Sequence, residues 1–251
     1  MDFTLNKYRE LQHALAEHKR VFLRHDVDVS TRNALTLARA EAEMGVRSTH
    51  YFRARHFTSQ RHISDIKAII DLGHHIGYHY ENLTTCDGNI ERAYKDFIGK
   101  LEILRQLAPV STACAHGSPT SQWDSQEIWK QHDIHALGID YEPMLDTDFG
   151  TTLYLTDTGR RWDGYRVSIR DKVPHFQEQW EADGLSFHTT NDLIDALLNP
   201  EHKIHQHSLL INTHPERWIP LGAVWTKELL IQRLKNEIKH IVITYRQKKQ
   251  K

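Results

Sequence analysis

Short apolar runs alternate with longer amphipathic segments along most of the chain. The short runs are rich in β-branched and aromatic residues, and the segments between them repeat apolar residues at helical spacing. Strands are therefore predicted at Val21–His25, Ser48–Arg53, His75–Tyr80, Val110–Ala115, Ile134–Tyr141, Leu153–Thr156, Leu185–His188 and Leu209–His214. Helices are predicted at Lys7–Glu17, Asn33–Met44, Ile63–Leu72, Ile90–Leu107, Asp192–Leu198 and Lys227–His240.

Turn and cap residues agree with these boundaries. Gly45 and Gly73 each follow a predicted helix, where glycine commonly ends one. Ser30 or Thr31, and later Thr190, are expected to cap helices. The repeated strand-then-helix order favours parallel strands joined by crossover helices. Seven or eight such units predict an α/β barrel, distorted or incomplete, formed as a single domain over residues 1–251.

Composition excludes several classes of protein. With 39% hydrophobic residues, the 251-residue chain can bury one sizeable core. A net charge of -1 gives no basic surface for nucleic acid, and no apolar run is long enough to span a membrane. The N-terminus lacks the pattern of a signal peptide. Cys86 and Cys114 imply no disulfide framework, so a cytoplasmic location is expected.

Two acidic residues end the first apolar run. Asp26 and Asp28 are two residues apart, so on a strand their side chains point the same way. Like charges at a strand tip are costly unless a cation or a proton lies between them. The pair therefore predicts a metal ligand beside a general base. The alternative is an Asp-rich turn that caps the next helix.

Histidines end two further strands. His79 lies at the tip of the third predicted strand, and Gly73 and Gly77 allow close backbone approach there. We interpret it as a metal ligand, whereas His75 lies too far along the strand to share the same ion. His116 follows the fourth strand and could ligate metal, orient substrate or satisfy the turn.

Several neighbours of these strand tips carry further chemistry. Gly117, in a Gly-Ser-Pro turn, exposes backbone N–H groups of the kind that form an oxyanion hole. Cys114 is an alternative ligand or nucleophile, although a small buried hydrophobe is the simpler interpretation. Arg53, at the tip of the second strand, could hold a nearby carboxylate ionised or lie on the surface.

The last predicted strand ends at His214, which Pro215 pushes out at the tip. A histidine in this position can serve as a general acid. Earlier in the chain, Asp157 could tune a catalytic histidine or form a turn. Trp162 could stack on a sugar ring or anchor a loop.

The order of these motifs resembles the polysaccharide deacetylase family, which has the NodB-homology domain and is also called carbohydrate esterase family four. The resemblance runs from Val21 to Trp218 and is closest to the deacetylase-like proteins of bacterial O-antigen and other surface-polysaccharide clusters. The family's motifs are matched by His25–Asp28, by Gly73–His79 with His75 in place of an acid, loosely by Ala113–Gly117, and by Leu209–His214.

The resemblance implies a role for each matching residue. Asp26 would be the base, Asp28 and His79 metal ligands, and His214 the general acid. The family's second metal histidine is replaced by Leu83, and Glu81 or His116 could take its place. The arginine that clamps the base is replaced by Ala113, and Arg53 could compensate. The family's acid-Trp motif has a loose counterpart in Asp157 to Trp162.

The expected function is metal-dependent removal of an N-acyl group, an acetyl group in the first instance, from a sugar. Zinc is the expected ion, and the substrate is expected to be an N-acylated sugar, a nucleotide sugar or a lipid-linked glycan. Candidate substrate-binding residues are Tyr80, Gly117, Trp123, Asp157 and Trp162. Two alternatives are a catalytically silent barrel that binds a glycan or a partner, and a hydrolase of another small amide or ureide.

Overall fold

The computed structural model describes residues 1–117, 121–166, 168, 171–223 and 225–231. These residues form two compact units. One comprises Arg24–Thr147, and the other comprises Met1–Leu23 with the described part of Asp148–Lys251. The single domain expected from the sequence stays a prediction.

Six strands form one hydrogen-bonded sheet in the order β4-β3-β2-β1-β6-β5. They are β1 (Val21–Val27), β2 (Thr49–Phe52), β3 (His75–Tyr80), β4 (Ala113–Ala115), β5 (Thr152–Thr156) and β6 (Ser208–Thr213). The pairs β1–β2, β2–β3, β3–β4 and β5–β6 are parallel, which confirms the predicted α/β class. In the described residues the strand order is linear, with β4 and β5 at its edges, so the expected barrel does not close.

Two of the predicted strands are wrong. The segment Ile134–Tyr141 contains a short 3-10 turn, and Gly138 leaves it with a positive φ of 69°. The segment Leu185–His188 follows Gly184, which has a φ of 75°, and it has no strand assignment. Apolar side chains in both segments are buried, so burial without strand pairing produced the misleading pattern.

The helices are α1 (Leu5–Ala16), α2 (Thr31–Glu43), α3 (Ala54–Phe57), α4 (Gln60–Asp71), α5 (Asn82–Thr85), α6 (Ile90–Arg105), α7 (Pro143–Asp146), α8 (Pro174–Ala182) and α9 (Thr190–Leu198). Ser30 caps α2 by accepting a hydrogen bond from the Asn33 N–H at 3.2 Å. Thr189, rather than the expected Thr190, caps α9. Residues 232–240 of the predicted helix Lys227–His240 lie outside the described residues.

No helix in the described part of the chain combines the length and the apolar character needed to cross a membrane.

The strands of residues 24–147 have two chemically different faces. Because side chains alternate along a strand, Val27 and Phe52 face one side while Asp26 and Tyr51 face the other. The first side packs against α2, α4 and α6 and forms a core of aliphatic and aromatic residues. The opposite face carries the polar side chains at the carboxyl ends of the strands, where parallel sheets place their sites.

Gly77 creates the space on which this polar face depends. It pairs in register with Tyr51, and a Cβ at position 77 would lie 2.5 Å from Cδ1 of the Tyr51 ring. Without that Cβ, Tyr51 lies across β3 and its hydroxyl meets Thr112 Oγ1 at 2.6 Å. The guanidinium of Arg24 then lies over the Tyr51 ring, 5.6 Å from its centroid.

Gly77→Ala should lower the free energy of unfolding by about 1–3 kcal/mol, because the added methyl displaces a buried aromatic ring. Gly99→Ala is the control, since a Cβ at this position in α6 meets nothing within 4 Å and alanine should stabilise the helix by up to about 1 kcal/mol. Urea unfolding measures both. Equal stability of Gly77→Ala and the unchanged protein would contradict the close approach.

Candidate metal centre

Three side chains from the ends of β1, β3 and β4 converge on one point. Asp28 Oδ1 lies 3.5 Å from His79 Nε2 and 3.3 Å from His116 Nε2. One ligand atom from each of the three residues lies within 4.8 Å of the others. Two imidazoles and one carboxylate in this arrangement match a three-ligand zinc site that leaves a position open.

The Nδ1 atom of each imidazole lies near an acceptor outside the ligand set. His79 Nδ1 lies 3.0 Å from the backbone oxygen of Cys114 and is hydrogen-bonded to it. His116 Nδ1 lies 3.1 Å from Glu81 Oε2, an ion-pair contact without hydrogen-bond geometry. An acceptor at Nδ1 selects the tautomer that leaves the Nε2 lone pair for a metal, and both Nε2 atoms face Asp28. The His79 ring is therefore held in the ligating orientation by a hydrogen bond, and the His116 ring lies against the charge of Glu81.

Glu81 and Arg53 form a pair behind His116. The Arg53 guanidinium donates to both carboxylate oxygens of Glu81, at 2.9 and 2.6 Å. Burial opposes the charge on Glu81, but His116 and Arg53 outweigh burial and lower the pKa of Glu81 to about 2. Of the two expected ligands, His116 is therefore the one with its nitrogen toward Asp28, whereas Glu81 orients it. Arg53 was expected to pair with the base, Asp26, but in the structure it pairs with the carboxylate of Glu81.

The arginine beside Asp26 comes from the same strand. Arg24 Nη2 lies 3.3 Å from Asp26 Oδ2, and Nη1 lies 2.6 Å from the Cys114 sulfur. Burial raises the pKa of the Cys114 thiol to about 11, so it is a neutral thiol at pH 7. A buried guanidinium beside Asp26 favours the ionised carboxylate. The role expected of Arg53 toward the base is thus available to Arg24.

The charges around His79 suit a cation. Burial alone lowers the pKa of an imidazole, but Asp26 and Asp28 outweigh it and raise the pKa of His79 well above its ordinary value. Asp26 Oδ2 lies 3.9 Å from His79 Nε2, on the same side as Asp28. Positive charge is therefore stabilised at this point, and a metal ion can supply it in place of the proton. The residues present fit a bound divalent cation.

Two predicted substrate residues lie in hydrophobic cores instead. Tyr80 is 0% exposed, and its hydroxyl donates to Glu142 at 3.1 Å and accepts from Trp129 at 2.8 Å. Trp162 is 4% exposed and donates to Thr190 Oγ1 at 3.0 Å. Neither ring presents a face to a sugar in this structure. Trp123 is partly exposed and stays a candidate for stacking.

Two backbone N–H groups near His116 already donate hydrogen bonds within the protein. The His116 N–H donates to the Tyr80 carbonyl at 2.8 Å, and the Ala115 N–H donates to Glu142 Oε1 at 3.0 Å. Gly117, which is exposed, is therefore the backbone donor that remains from the predicted oxyanion hole. Ser118 and Pro119 of the same turn lie outside the described residues.

Sequence reasoning missed Arg24 and Glu142. A charged residue inside the buried run Val21–Val27 was a signal for Arg24, since a buried charge needs a partner. Glu142 follows Ile134–Tyr141, the segment wrongly predicted as a strand, and no local sequence pattern indicates its role. Its carboxylate caps α7 through the N–H groups of Met144 and Leu145, and burial raises its pKa.

The unit that contains β5 and β6 holds an Asp-His pair of its own. His214 is buried, and its Nδ1 lies 2.7 Å from Asp157 Oδ1. Asp157 also accepts from the His214 N–H at 3.0 Å, from Trp218 Nε1 at 2.7 Å and from the Arg217 guanidinium. Burial opposes the charge on Asp157, but Arg217 and His214 outweigh it and lower its pKa to about 2. The sequence interpretation that Asp157 tunes a histidine is consistent with this geometry.

Neither a family model nor a curated protein matches the chain. Two solved structures are similar: a mutant of BA3943 described as a CE4 family pseudoenzyme with restored enzymatic activity, and a mutant described as a CE4 family pseudoenzyme. Their identities are 12% and 13%, each with a TM-score of 0.40 and 88% of this chain covered. The chain spans 64% and 63% of those proteins, less than two thirds of either. A likeness at this level assigns no family.

His79→Ala should remove one bound zinc per chain, because it deletes a ligand. Glu81→Gln should keep the zinc but bind it about 10–100-fold more weakly, the usual cost of losing a partner that orients a ligand. Metal content after dialysis against a graded chelator series separates the two variants. If His79→Ala retained the same zinc content as the unchanged protein, the assigned ligand set would be wrong.

Asp157 should make the stability of the protein depend on pH in acid. Its pKa is about 2 in the folded chain against an ordinary value of 3.8, so its stabilisation is complete above about pH 4 and is lost as the pH falls through 2. The contribution at neutral pH is about 2 kcal/mol.

Asp157→Asn should therefore flatten the change in free energy of unfolding between pH 4 and 2, measured by urea unfolding. Asp195→Asn on the exposed face of α9 is the control and should leave the slope unchanged. An undiminished slope in Asp157→Asn would show that another group carries this dependence.

Proposed function

We propose that the protein is a metal-dependent hydrolase that removes an N-acyl group, in the first instance acetyl, from a sugar. The observation that carries the proposal is the convergence of His79 Nε2 and His116 Nε2 on Asp28, with the His79 ring hydrogen-bonded at Nδ1 and the His116 ring beside Glu81. Asp28, His79 and His116 would hold the ion, which we propose to be zinc. A bound zinc ion polarises an acyl carbonyl and lowers the pKa of water toward neutrality.

Asp26 is the proposed general base. It lies beside His79 without being needed as a ligand, and it is two residues before Asp28 on the same face of the chain. Arg24 keeps its carboxylate ionised, so it can accept a proton from the attacking water. The Arg24 guanidinium in turn packs over the Tyr51 ring, 5.6 Å from its centroid.

The remaining steps need an oxyanion donor and a general acid. The Gly117 N–H is the proposed donor to the developing oxyanion, because the neighbouring His116 N–H is used by Tyr80. Protonation of the leaving amine is assigned to His214 by the resemblance of the last motif. Contacts of His214 Nδ1 with Asp157 at 2.7 Å and with the Arg217 guanidinium at 2.8 Å hold the ring in place, which suits that role.

Two departures from the deacetylase pattern are offset by other residues. Leu83, which stands where the family has a metal histidine, is buried in a small apolar cluster, and His116 supplies an imidazole to Asp28 instead. Ala113, which stands where the family has an arginine, lies in the core, and Arg24 supplies a guanidinium to Asp26. These replacements favour an active site over an eroded one.

The proposed substrate class is based on the resemblance of the sequence motifs to those of the polysaccharide deacetylase family. N-acylated sugars, nucleotide sugars and lipid-linked glycans of O-antigen or capsule synthesis are the proposed substrates, with Trp123 as the stacking residue. The cytoplasmic location likewise stays a prediction. The two other functions make different predictions: a silent glycan-binding protein would bind no metal that is lost with His79→Ala, and an amidase would turn over a small amide or ureide and no acetylated sugar.

Acetate release from a panel of N-acetylated nucleotide sugars and lipid-linked glycans tests the proposal. Asp26→Asn should lower turnover by about 10²–10⁴-fold, the usual contribution of general acid-base catalysis, while the bound zinc is retained. Turnover of a small amide or ureide with none of the glycans would overturn the sugar assignment. Normal turnover by Asp26→Asn would overturn the base.

Arg24→Met gives a second measurement on the same base. Loss of the guanidinium removes a positive charge beside Asp26, so the acidic limb of kcat/KM should move to higher pH. Arg32→Met, which changes an arginine that is 74% exposed, is the matched control. A purely structural role for Arg24 would lower the rate without moving the limb.

A further inference from the structure

A second group of histidines and a glutamate lies on the other side of β1. His25, Glu41 and His50 are all 0% exposed, and one ligand atom from each lies within 4.8 Å of the others. Nothing in the proposed hydrolysis uses them. A fully buried carboxylate among imidazoles is rare enough to require a physical reason.

The fold places this group away from Asp26 and Asp28. His25 and His50 are register partners on β1 and β2, so their side chains leave the sheet on the same face. Since side chains alternate along a strand, that face is opposite to the one carrying Asp26. Helix α2 packs on it and brings Glu41 to the two rings.

The ligand atoms of the group lie close to one another. Glu41 Oε1 lies 2.8 Å from His25 Nε2, and Oε2 lies 3.7 Å from His50 Nε2. Ligand atoms about 2.0–2.2 Å from a tetrahedral zinc ion are roughly 3.3–3.5 Å apart. Because the two observed distances involve different oxygens of Glu41, the carboxylate must turn for one ion to contact both rings.

His74 and Ser48 lie beside the group and are hydrogen-bonded to one another. The His74 Nε2 atom lies 2.9 Å from the Ala38 carbonyl, to which it donates, and its Nδ1 accepts a hydrogen bond from the Ser48 N–H at 3.3 Å, so the ring borders the group without being a ligand. The Ser48 hydroxyl lies between the same groups, 2.7 Å from Glu41 Oε2, 3.2 Å from His50 Nε2 and 3.1 Å from His74 Nδ1. Ser48 thus stands where an ion would be shared, and it must turn aside when one binds.

The His50 and His74 imidazoles at this position are neutral. Burial opposes the charge on Glu41, but His25 and His50 outweigh it, and the pKa of Glu41 falls well below its ordinary value. Burial and His25 lower the pKa of His50 to about 3, and burial lowers the pKa of His74, so both rings are neutral at pH 7. Neutral imidazole is the form that ligates metals. Among the described residues, His50 Nδ1 has no hydrogen-bond partner.

We propose that His25, Glu41 and His50 form a second, structural zinc site that ties helix α2 to strands β1 and β2. The three residues supply two nitrogens and one oxygen, and their complete burial closes the site to substrate. The site is independent of the proposed hydrolysis. It would stabilise β1, the strand on which Asp26 and Asp28 are carried.

The test uses the full chain with the first site removed, as the His79→Ala, His116→Ala double variant. After chelation and dialysis, titration with ZnCl₂ should give one tightly bound zinc per chain. At a hundredfold excess over Kd, zinc should raise the Tm by about 5–10 °C. Adding His50→Gln should weaken binding by more than about a hundredfold. Adding Ser48→Ala, the matched control, removes a hydrogen bond but no ligand, so zinc should still bind.

Zinc uptake by the double variant that is lost with His50→Gln but kept with Ser48→Ala supports the site. A folded double variant that binds no zinc overturns it, and the hydrolase proposal is unaffected because activity is not measured. If His50→Gln fails to fold, anomalous diffraction from zinc-soaked crystals of the double variant decides. A zinc peak between His25 and His50 supports the site, and its absence overturns it.

Discussion

The register of the four parallel strands β1–β4 is the constraint on which the candidate centre depends. Val27, Phe52, Tyr78 and Ala113 are successive partners across the sheet, so the residues that follow them reach the edge together. Those following residues are Asp28, Arg53, His79 and Cys114. A slip of one residue in any pair would turn a polar side chain into the apolar core and a core side chain toward the ion.

The polar face must also have room for a large side chain in the row of residues just before the strand ends. Gly77 lets Tyr51 lie flat over β3, and the ring in turn supports Arg24 beside Asp26. The absence of a Cβ at Gly77 therefore affects both the packing of Tyr51 and the position of Arg24. Arg24 is the residue that donates to Asp26, the proposed base.

Much of the centre could be predicted from the sequence, because strand tips and alternation are local properties. Asp26, Asp28 and His79 were found from apolar runs that end in polar residues. The same alternation excludes Tyr80, since a residue next to His79 must face the helices, and applying it would have avoided that error. Contacts between distant parts of the chain, such as Glu142 with Ala115, leave no local pattern to read.

A comparison of the buried carboxylates indicates which of them need an ion. Asp157 contacts one imidazole, that of His214, but it also accepts from a guanidinium, an indole N–H and a backbone N–H, which keep their hydrogens at any physiological pH. Asp28 and Glu41 instead lie against imidazoles, which can each give up a proton and offer a lone pair. A carboxylate with permanent donors is already satisfied, whereas one among imidazoles can exchange protons for a divalent cation. The partners of each carboxylate, rather than its burial, therefore distinguish a fixed ion pair from a metal site.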